Sequence, residues 1–262
     1  MRYRSVWRVL SGRAGAAVAA GLLAAAGLAA GGQAQAAPVG ESRIVGGSDA
    51  PEGAYPYMAF MRDIRGNFKC GATPISDTWA VTAAHCFKDL TVTRYWDLTT
   101  RATNLNDRRT PVRHMILEVI PHPRYNSWLL ENDIALVRFD DRGLKQQVLP
   151  PADLPPVLGG EATMLGWGGT VTGGPVVPAL QHATTTVWPV ASCGLDANPL
   201  VHVCTFDGTT STCQGDSGGP LVQNGRLIGI TSTGGPTCEP KYASIYTNVS
   251  YYRAWIKEKT GV

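Results

Sequence analysis

The strongest constraint on this chain is its punctuation. Short apolar runs alternate with turn-forming residues along most of its length, and few stretches carry a helical period. Leu221-Val222-Gln223 and Arg226-Leu227-Ile228 flank Asn224-Gly225, which predicts a β-hairpin closed by a two-residue turn. The 30 glycines and 18 prolines among 262 residues suit a turn-rich β protein better than a helical one. The expected fold class is all-β. One helix is expected, at about residues 250–259, with Ser250 as its cap and Tyr251, Ala254, Trp255 and Glu258 at helical spacing. A Pro/Gly-rich stretch from Leu149 to Gly160 divides the chain into halves.

The first residues have a different character. Arg2, Arg4, Arg8 and Arg13 precede a weakly apolar Ala/Gly/Leu run from about Ala14 to Ala30, and Ala34-Gln35-Ala36 fits a small-residue cleavage site. Residues 1–36 therefore read as a secretory signal peptide, and the mature protein is expected to be secreted to the extracellular side. The competing reading is a membrane anchor. Alanine and glycine supply little transfer energy, and the run falls short of ~20 strongly apolar residues, so no stable membrane anchor is expected.

This leader also distorts the charge. The chain holds 23 Lys+Arg and 20 Asp+Glu, a formal net charge of +3. The first 43 residues contain five arginines and one acid, Glu41, which leaves 18 basic and 19 acidic groups from Ile44 onward, a net charge near −1. The basic bias belongs to the leader, and nucleic acid is not an expected partner.

All six cysteines lie beyond the leader, an even number in an exported chain, so disulfides are expected. Six cysteines permit fifteen pairings, and spacing does not choose among them. The alternative use of cysteine is zinc. The chain has no Cys-x-x-Cys and no His-Glu-x-x-His, so no metal and no cofactor are expected.

The chemistry is concentrated in Gly215-Asp216-Ser217-Gly218-Gly219-Pro220. A serine among glycines on a tight turn offers a reachable hydroxyl with backbone N–H groups crowded around it. Acyl transfer needs both, a nucleophile and donors aimed where a carbonyl oxygen gains charge. Upstream lie Thr82-Ala83-Ala84-His85-Cys86 and Asn132-Asp133-Ile134-Ala135-Leu136, and near the leader Arg43-Ile44-Val45-Gly46-Gly47. At these four motifs, in their order along the chain, it resembles the chymotrypsin/trypsin family of serine proteases from Ile44 to the C-terminus.

The resemblance implies two six-stranded antiparallel β-barrels, the first at about 44–148 and the second at about 160–249, followed by the C-terminal helix, with the site in the cleft between them. It implies that Ser217 is the nucleophile, His85 the base, and Asp133 the acceptor that fixes the imidazole tautomer. The N–H groups of Gly215 and Ser217 would form an oxyanion hole, and Ser232 would hydrogen-bond Asp133. The implied disulfides are Cys70–Cys86, Cys193–Cys204 and Cys213–Cys238. Trp167, between two glycines, matches a structural position of the family.

Residue order tests this against rivals. Gly215-x-Ser217-x-Gly219 also fits the nucleophile elbow of α/β-hydrolases, but those place their histidine after the serine, and no histidine follows Ser217. A subtilisin-like order through Asp133, His202 and Ser217 is formally available, yet His202 lies in Val201-His202-Val203-Cys204, which resembles no catalytic motif. His114, His122 and His182 lack catalytic context and read as structural or surface residues.

By the same resemblance, residues 37–43 form a propeptide. Cutting after Arg43 would free the Ile44 ammonium to pair with Asp216, so the precursor is expected to be nearly inactive. The residue six before the nucleophile, Ser211, would floor the primary specificity pocket, with Ser232, Thr233 and Gly234 on one wall and Ala243 and Ser244 on the other. Ser211 carries no charge to receive Arg or Lys. Ser244 stands where glycine is common, and Thr233 where tryptophan is. The expected preference is for uncharged apolar residues (Leu, Met, Phe or Tyr). Such a pocket would not cut Arg43-Ile44 well, so a separate trypsin-like protease is expected to activate the chain. The other expected partners are peptide or protein substrates and possible protein inhibitors, with the molecule a monomer. Two rival functions stay open, a non-catalytic homologue acting as a binding module and an esterase on the same fold.

Overall fold

The computed structural model describes residues 44–87, 95–194 and 197–262. The expectations for residues 1–43, including Arg43, lie outside the described residues. Strand β1 (Ser48–Asp49) comes first in the chain. Six strands then close into a barrel: β2 (Ala59–Arg62), β3 (Phe68–Pro74), β4 (Trp79–Thr82), β5 (Asp97–Thr100), β6 (Val112–Pro121) and β7 (Ala135–Phe139). Their order around it is β2-β3-β4-β7-β6-β5, antiparallel throughout. Alternation along a strand decides what fills the barrel. Ala59 and Met61 of β2 join Ala72, Leu98, Val137 and Phe139 in one buried cluster, while Phe60 between them joins Leu165 and Trp167 in another. Both faces of β2 are covered, so all four of its residues are buried.

The second barrel comprises β8 (Glu161–Gly166), β9 (Gln181–Trp188), β10 (His202–Thr205), β11 (Pro220–Gln223), β12 (Arg226–Thr233) and β13 (Ser244–Asn248). It runs β8-β9-β10-β13-β12-β11 and closes through β8 and β11. Together these are the two six-stranded antiparallel barrels of an all-β fold. The hairpin at Asn224-Gly225 forms as expected, with both residues at positive φ, 51° and 69°. That is the φ sign a type I′ turn requires at both central positions.

Two boundaries differ from expectation. The first barrel was expected from residue 44, but β1 pairs with β9, Ser48 opposite His182, and Val45 bridges Ser211. The N-terminal segment is thus hydrogen-bonded to the second barrel. The terminal helix, α1, is Arg253–Thr260 rather than 250–259, and Ser250 does not cap it. Its hydroxyl instead donates to Asn248 Oδ1 at 2.8 Å, and residues 251–252 form a turn. The buried face also differs. Tyr252 and Ile256, one helical turn apart, are buried, whereas Tyr251, Ala254 and Glu258 are exposed. Burial of side chains like Ile256 contributes about 1.5–3 kcal/mol each. They pack against Ile75, Val81, Ile134, Leu227 and Ile230, a cluster drawn from both barrels. Gly261 ends the helix at φ 76°, its N–H donating to Lys257 O.

Three disulfides are present, Cys70–Cys86, Cys193–Cys204 and Cys213–Cys238. Among the described residues no helix is long and apolar enough to cross a membrane.

Candidate active site

His85 sits in a single 3₁₀ turn, Ala84–Cys86, directly after β4. Two anchors, one hydrogen-bonded and one covalent, fix that turn. Strand β4 pairs with β7 up to Thr82–Ala135, and Cys86 is bonded to Cys70 on β3. The imidazole remains reachable, its side chain 23% exposed.

Asp133 lies just before β7 and is fully buried. The preceding residue, Asn132, adopts φ 57°, a conformation asparagine tolerates better than most residues. Its side chain is tied on both sides, donating to Arg124 O at 2.9 Å and accepting from Tyr252 Oη at 3.0 Å. A buried carboxylate is costly unless its oxygens are paired. Here they are. The His85 backbone N–H donates to Oδ1 at 2.8 Å, His85 Nδ1 lies 2.7 Å from Oδ2, and Ser232 Oγ donates to Oδ2 at 2.6 Å. Thr247 Oγ1 donates to the Asp133 carbonyl at 2.7 Å.

The sheet explains how Ser232 reaches across. Thr231 pairs with Tyr246 and Thr233 with Ile245, so Ser232 is the extra residue of a β-bulge between β12 and β13. A bulge bends the strand and re-aims one side chain, and this one carries the second barrel's hydroxyl to the first barrel's carboxylate.

Ser217 is held on the tight turn before β11. Its carbonyl accepts from Gly71 N at 2.8 Å, and Gly218 N donates to Thr231 O at 2.9 Å. Gly218 has φ 77°, and a Cβ there would lie 2.2 Å from Thr82 Oγ1 and 2.4 Å from Gly71 O. The turn therefore presses against the end of β4, three residues before His85. The Ser217 hydroxyl is half-buried and makes no hydrogen bond among the described residues. The N–H groups of Gly215 and Ser217 likewise donate to no acceptor among them.

Asp216 points the other way, into the second barrel, and is 1% exposed. Its carboxylate accepts from Gly168 N and Cys213 N, both at 2.8 Å. Burial pushes its pKa up to about 6, with those two N–H groups pulling it back. Ile44 is fully buried, and Val45 O accepts from Ser211 N at 3.1 Å. The start of the domain thus enters the segment that leads to Asp216.

Around Ser211 the structure gathers hydroxyls. Ser211 is 3% exposed and donates to Thr212 O. Ser244 is buried beside it, its Oγ accepting from Thr212 N at 3.0 Å and lying 3.0 Å from Thr212 Oγ1. Thr233, Gly234 and Ala243, from both expected walls, line a cavity of about 350 Å³ with Trp128, Leu129, Leu130 and Tyr242. These four residues were not singled out from the sequence, although Trp128-Leu129-Leu130 is an apolar run between Asn126 and Asn132. Trp128 is 93% exposed. His202 lies at the same cavity and is buried, Nδ1 accepting from Asn198 N at 3.0 Å. His114 is also buried, between Thr100 Oγ1 and Asp140 O. Neither meets Ser217 or Asp133. The two sulfurs nearest His85 are tied in a disulfide and are not thiolate ligands.

Comparison with known proteins gives the family. A family model described as "Trypsin" matches residues 44–256. The chain is 35% identical over 235 residues to "Trypsin" of Phaedon cochleariae, covering 84% of this chain and 89% of that protein. It is 32% identical over 228 residues to "Serine protease 1" of Rattus norvegicus, covering 83% and 90%. To "Anionic trypsin" of Canis lupus familiaris it is 32% identical over 226 residues, covering 83% and 89%. With the double barrel and its three disulfides, these matches make the chain a member of the trypsin family of serine proteases, a serine endopeptidase.

Proposed function

We propose that this protein hydrolyses peptide bonds through a triad of Ser217, His85 and Asp133. Ser217 Oγ attacks the scissile carbonyl carbon while His85 Nε2 takes its proton. Asp133 holds the opposite ring nitrogen and stabilises the imidazolium. The carbonyl oxygen gains charge as the tetrahedral intermediate forms, and the uncommitted N–H groups of Gly215 and Ser217 receive it. The imidazolium then protonates the leaving amine, and the C–N bond breaks to give an acyl-enzyme. Water, deprotonated by His85, hydrolyses that ester and restores Ser217. The observation that carries the reading is the triple hydrogen bonding of a fully buried Asp133, two bonds from His85 and one from Ser232.

The substrates are proteins or peptides with an uncharged apolar residue before the scissile bond. Ser211 brings no carboxylate to the pocket, and the Ser244 side chain occupies space there. This separates the chain from what the names of its trypsin relatives suggest. Trp128, Leu129 and Leu130 extend the apolar contact. The protein is secreted as a precursor. A separate trypsin-like protease cuts after Arg43, and the released Ile44 ammonium pairs with Asp216. The processed enzyme works as a monomer open to protein inhibitors.

The test is labelling with an organophosphate, followed by peptide mapping and a cleavage-site profile of protein beginning at Ile44. Stoichiometric label on Ser217, with cleavage after Leu, Met, Phe or Tyr, is expected. Label on another residue overturns the triad, and dominant cleavage after Arg or Lys overturns the specificity.

A further inference from the structure

The first barrel carries a second concave site, built from residues outside the candidate triad. Five arginines, Arg62, Arg65, Arg108, Arg113 and Arg142, converge on a cavity of about 950 Å³. They arrive from β2 and the turn after it, from the loop before β6 and the start of β6, and from the loop after β7. Asp107 is the only acidic residue lining the cavity, and its carboxylate is already engaged by the Thr110 hydroxyl and the Arg109 N–H. Among the described residues none of the five arginines forms an ion pair.

Arg62 is the buried member, 9% exposed. Nη2 donates to Leu105 O at 2.8 Å, and the guanidinium lies 4.7 Å from the Phe60 ring centroid. Burial pulls its pKa below the ordinary arginine value. Arg113 and Arg108 pull the same way, and Asp97 pulls back. A cation so placed has given up water without gaining a carboxylate, which is a cost that an anion in the cavity would relieve. The charge is local. The domain from Ile44 onward is near neutral, so the field belongs to this cleft, where concave walls focus it.

The lining also selects among anions. Phe68, Leu105, Pro111 and Val112 give the cavity an apolar part. Guanidinium forks match carboxylates bidentately, and an apolar floor suits an aliphatic or aromatic side chain. A sulfated glycan or free phosphate would use the arginines and leave that floor unused. The chain's own first 43 residues, with five arginines and one acid, have the wrong charge to fill it. We propose that this cleft binds an acidic segment of a protein partner, with carboxylates on the guanidiniums and one apolar side chain on the floor between them.

The test uses a fluorescent octapeptide of glutamates with one central leucine, and anisotropy with the full chain carrying Ser217→Ala so that the probe is not cut. Saturable binding that weakens with salt is expected. Arg108→Gln combined with Arg113→Gln, both at exposed positions, should weaken it by about tenfold or more, as loss of charged hydrogen bonds implies. With Ser217 intact, the same pair should leave hydrolysis of a short neutral peptide unchanged. Glutamine in place of glutamate should abolish binding, and serine in place of the leucine should weaken it several-fold. Equal binding to the double variant overturns the proposal. So does tighter binding of a sulfated oligosaccharide than of the peptide, or displacement of the peptide by inorganic phosphate at equal concentration. Circular dichroism of the double variant separates loss of the site from loss of the fold.

Discussion

His85 grips Asp133 twice, through its backbone N–H to Oδ1 and through Nδ1 to Oδ2. The first bond fixes where the carboxylate lies relative to the turn, and the second fixes how the ring is rotated. With Ser232 as the third donor, little of the carboxylate's accepting capacity is left for an alternative arrangement.

Asp133→Asn should therefore keep the fold and lose the reaction. An amide presents an N–H where the carboxylate presents an acceptor, which favours the wrong tautomer of His85. A fall in kcat of about 10⁴-fold is expected, the size of effect known for the matching exchange in the family's best-studied triad. Ser232→Ala removes one hydrogen bond to a buried charge and should cost about 1.5–3 kcal/mol. Steady-state kinetics and urea unfolding on both variants check this. An Asn variant with near-parental kcat would refute the role of Asp133.

Two glycine substitutions should differ sharply. Gly218→Ala places a methyl 2.2 Å from Thr82 Oγ1 and 2.4 Å from a backbone oxygen, at φ 77°. Overpacking and backbone strain together should cost about 3–5 kcal/mol and abolish activity. Gly225→Ala, at φ 69°, meets nothing within 4 Å. It should cost about 1 kcal/mol and leave kcat unchanged. Thermal unfolding of the two variants side by side decides the matter, and similar losses would contradict the contact between the nucleophile turn and β4.

The pH dependence of stability should distinguish precursor from processed protein. Burial raises the Asp216 carboxyl from 3.8 to about 6. The folded state then binds this proton more tightly than the unfolded state does. Its stabilising contribution is present below pH 3.8 and lost as pH rises through about 6, a change of about 3 kcal/mol. In an Arg43→Gln precursor the Ile44 nitrogen is an uncharged amide and cannot offset that loss. In protein beginning at Ile44 an ammonium can pair with the carboxylate and keep it ionised. Melting temperatures measured from about pH 4 to 7 should fall for the precursor and not for the processed form. Parallel curves would overturn the proposed pairing.

Ser244→Gly should widen the specificity pocket. It removes the hydroxymethyl group that accepts from Thr212 N. Discrimination by a pocket changes by about 1–3 kcal/mol per methylene-sized step. The kcat/KM for Phe or Tyr relative to Leu should rise by about tenfold or more in a matched peptide series. No change in that ratio would remove Ser244 from the pocket.

Removing the Cys70–Cys86 bridge, by exchange of both residues to Ala, should cost about 3 kcal/mol for a loop of this length, spanning 16 residues. Cys86 belongs to the same 3₁₀ turn as His85. Catalysis should therefore fall further than the unfolded fraction alone explains, as active-site titration of the folded protein would reveal.

The sequence disclosed features whose cause is local. Asn224-Gly225 names its own turn because both residues tolerate positive φ. Four motifs in order lead to the double barrel only through the family resemblance they carry, since their letters do not specify a strand order. Features with distant causes were not legible. Ser250 has the composition of a cap, but Asn248, two residues earlier, claims its hydroxyl. Val45 and Ser48 precede the first barrel in the chain yet bond to Ser211 and His182, more than 130 residues away. The arginine cleft was hidden most completely. Its members are scattered from residue 62 to residue 142 among nearly balancing acids, so composition averages away what folding concentrates.

The junction of Gly218 with Thr82 and Gly71 joins one barrel to the other at the site itself. His85 and Ser217, the proposed base and nucleophile, come from different barrels, so any event that parts the two halves also disarms the blade. A molecule beginning to come undone would lose its edge together with its shape.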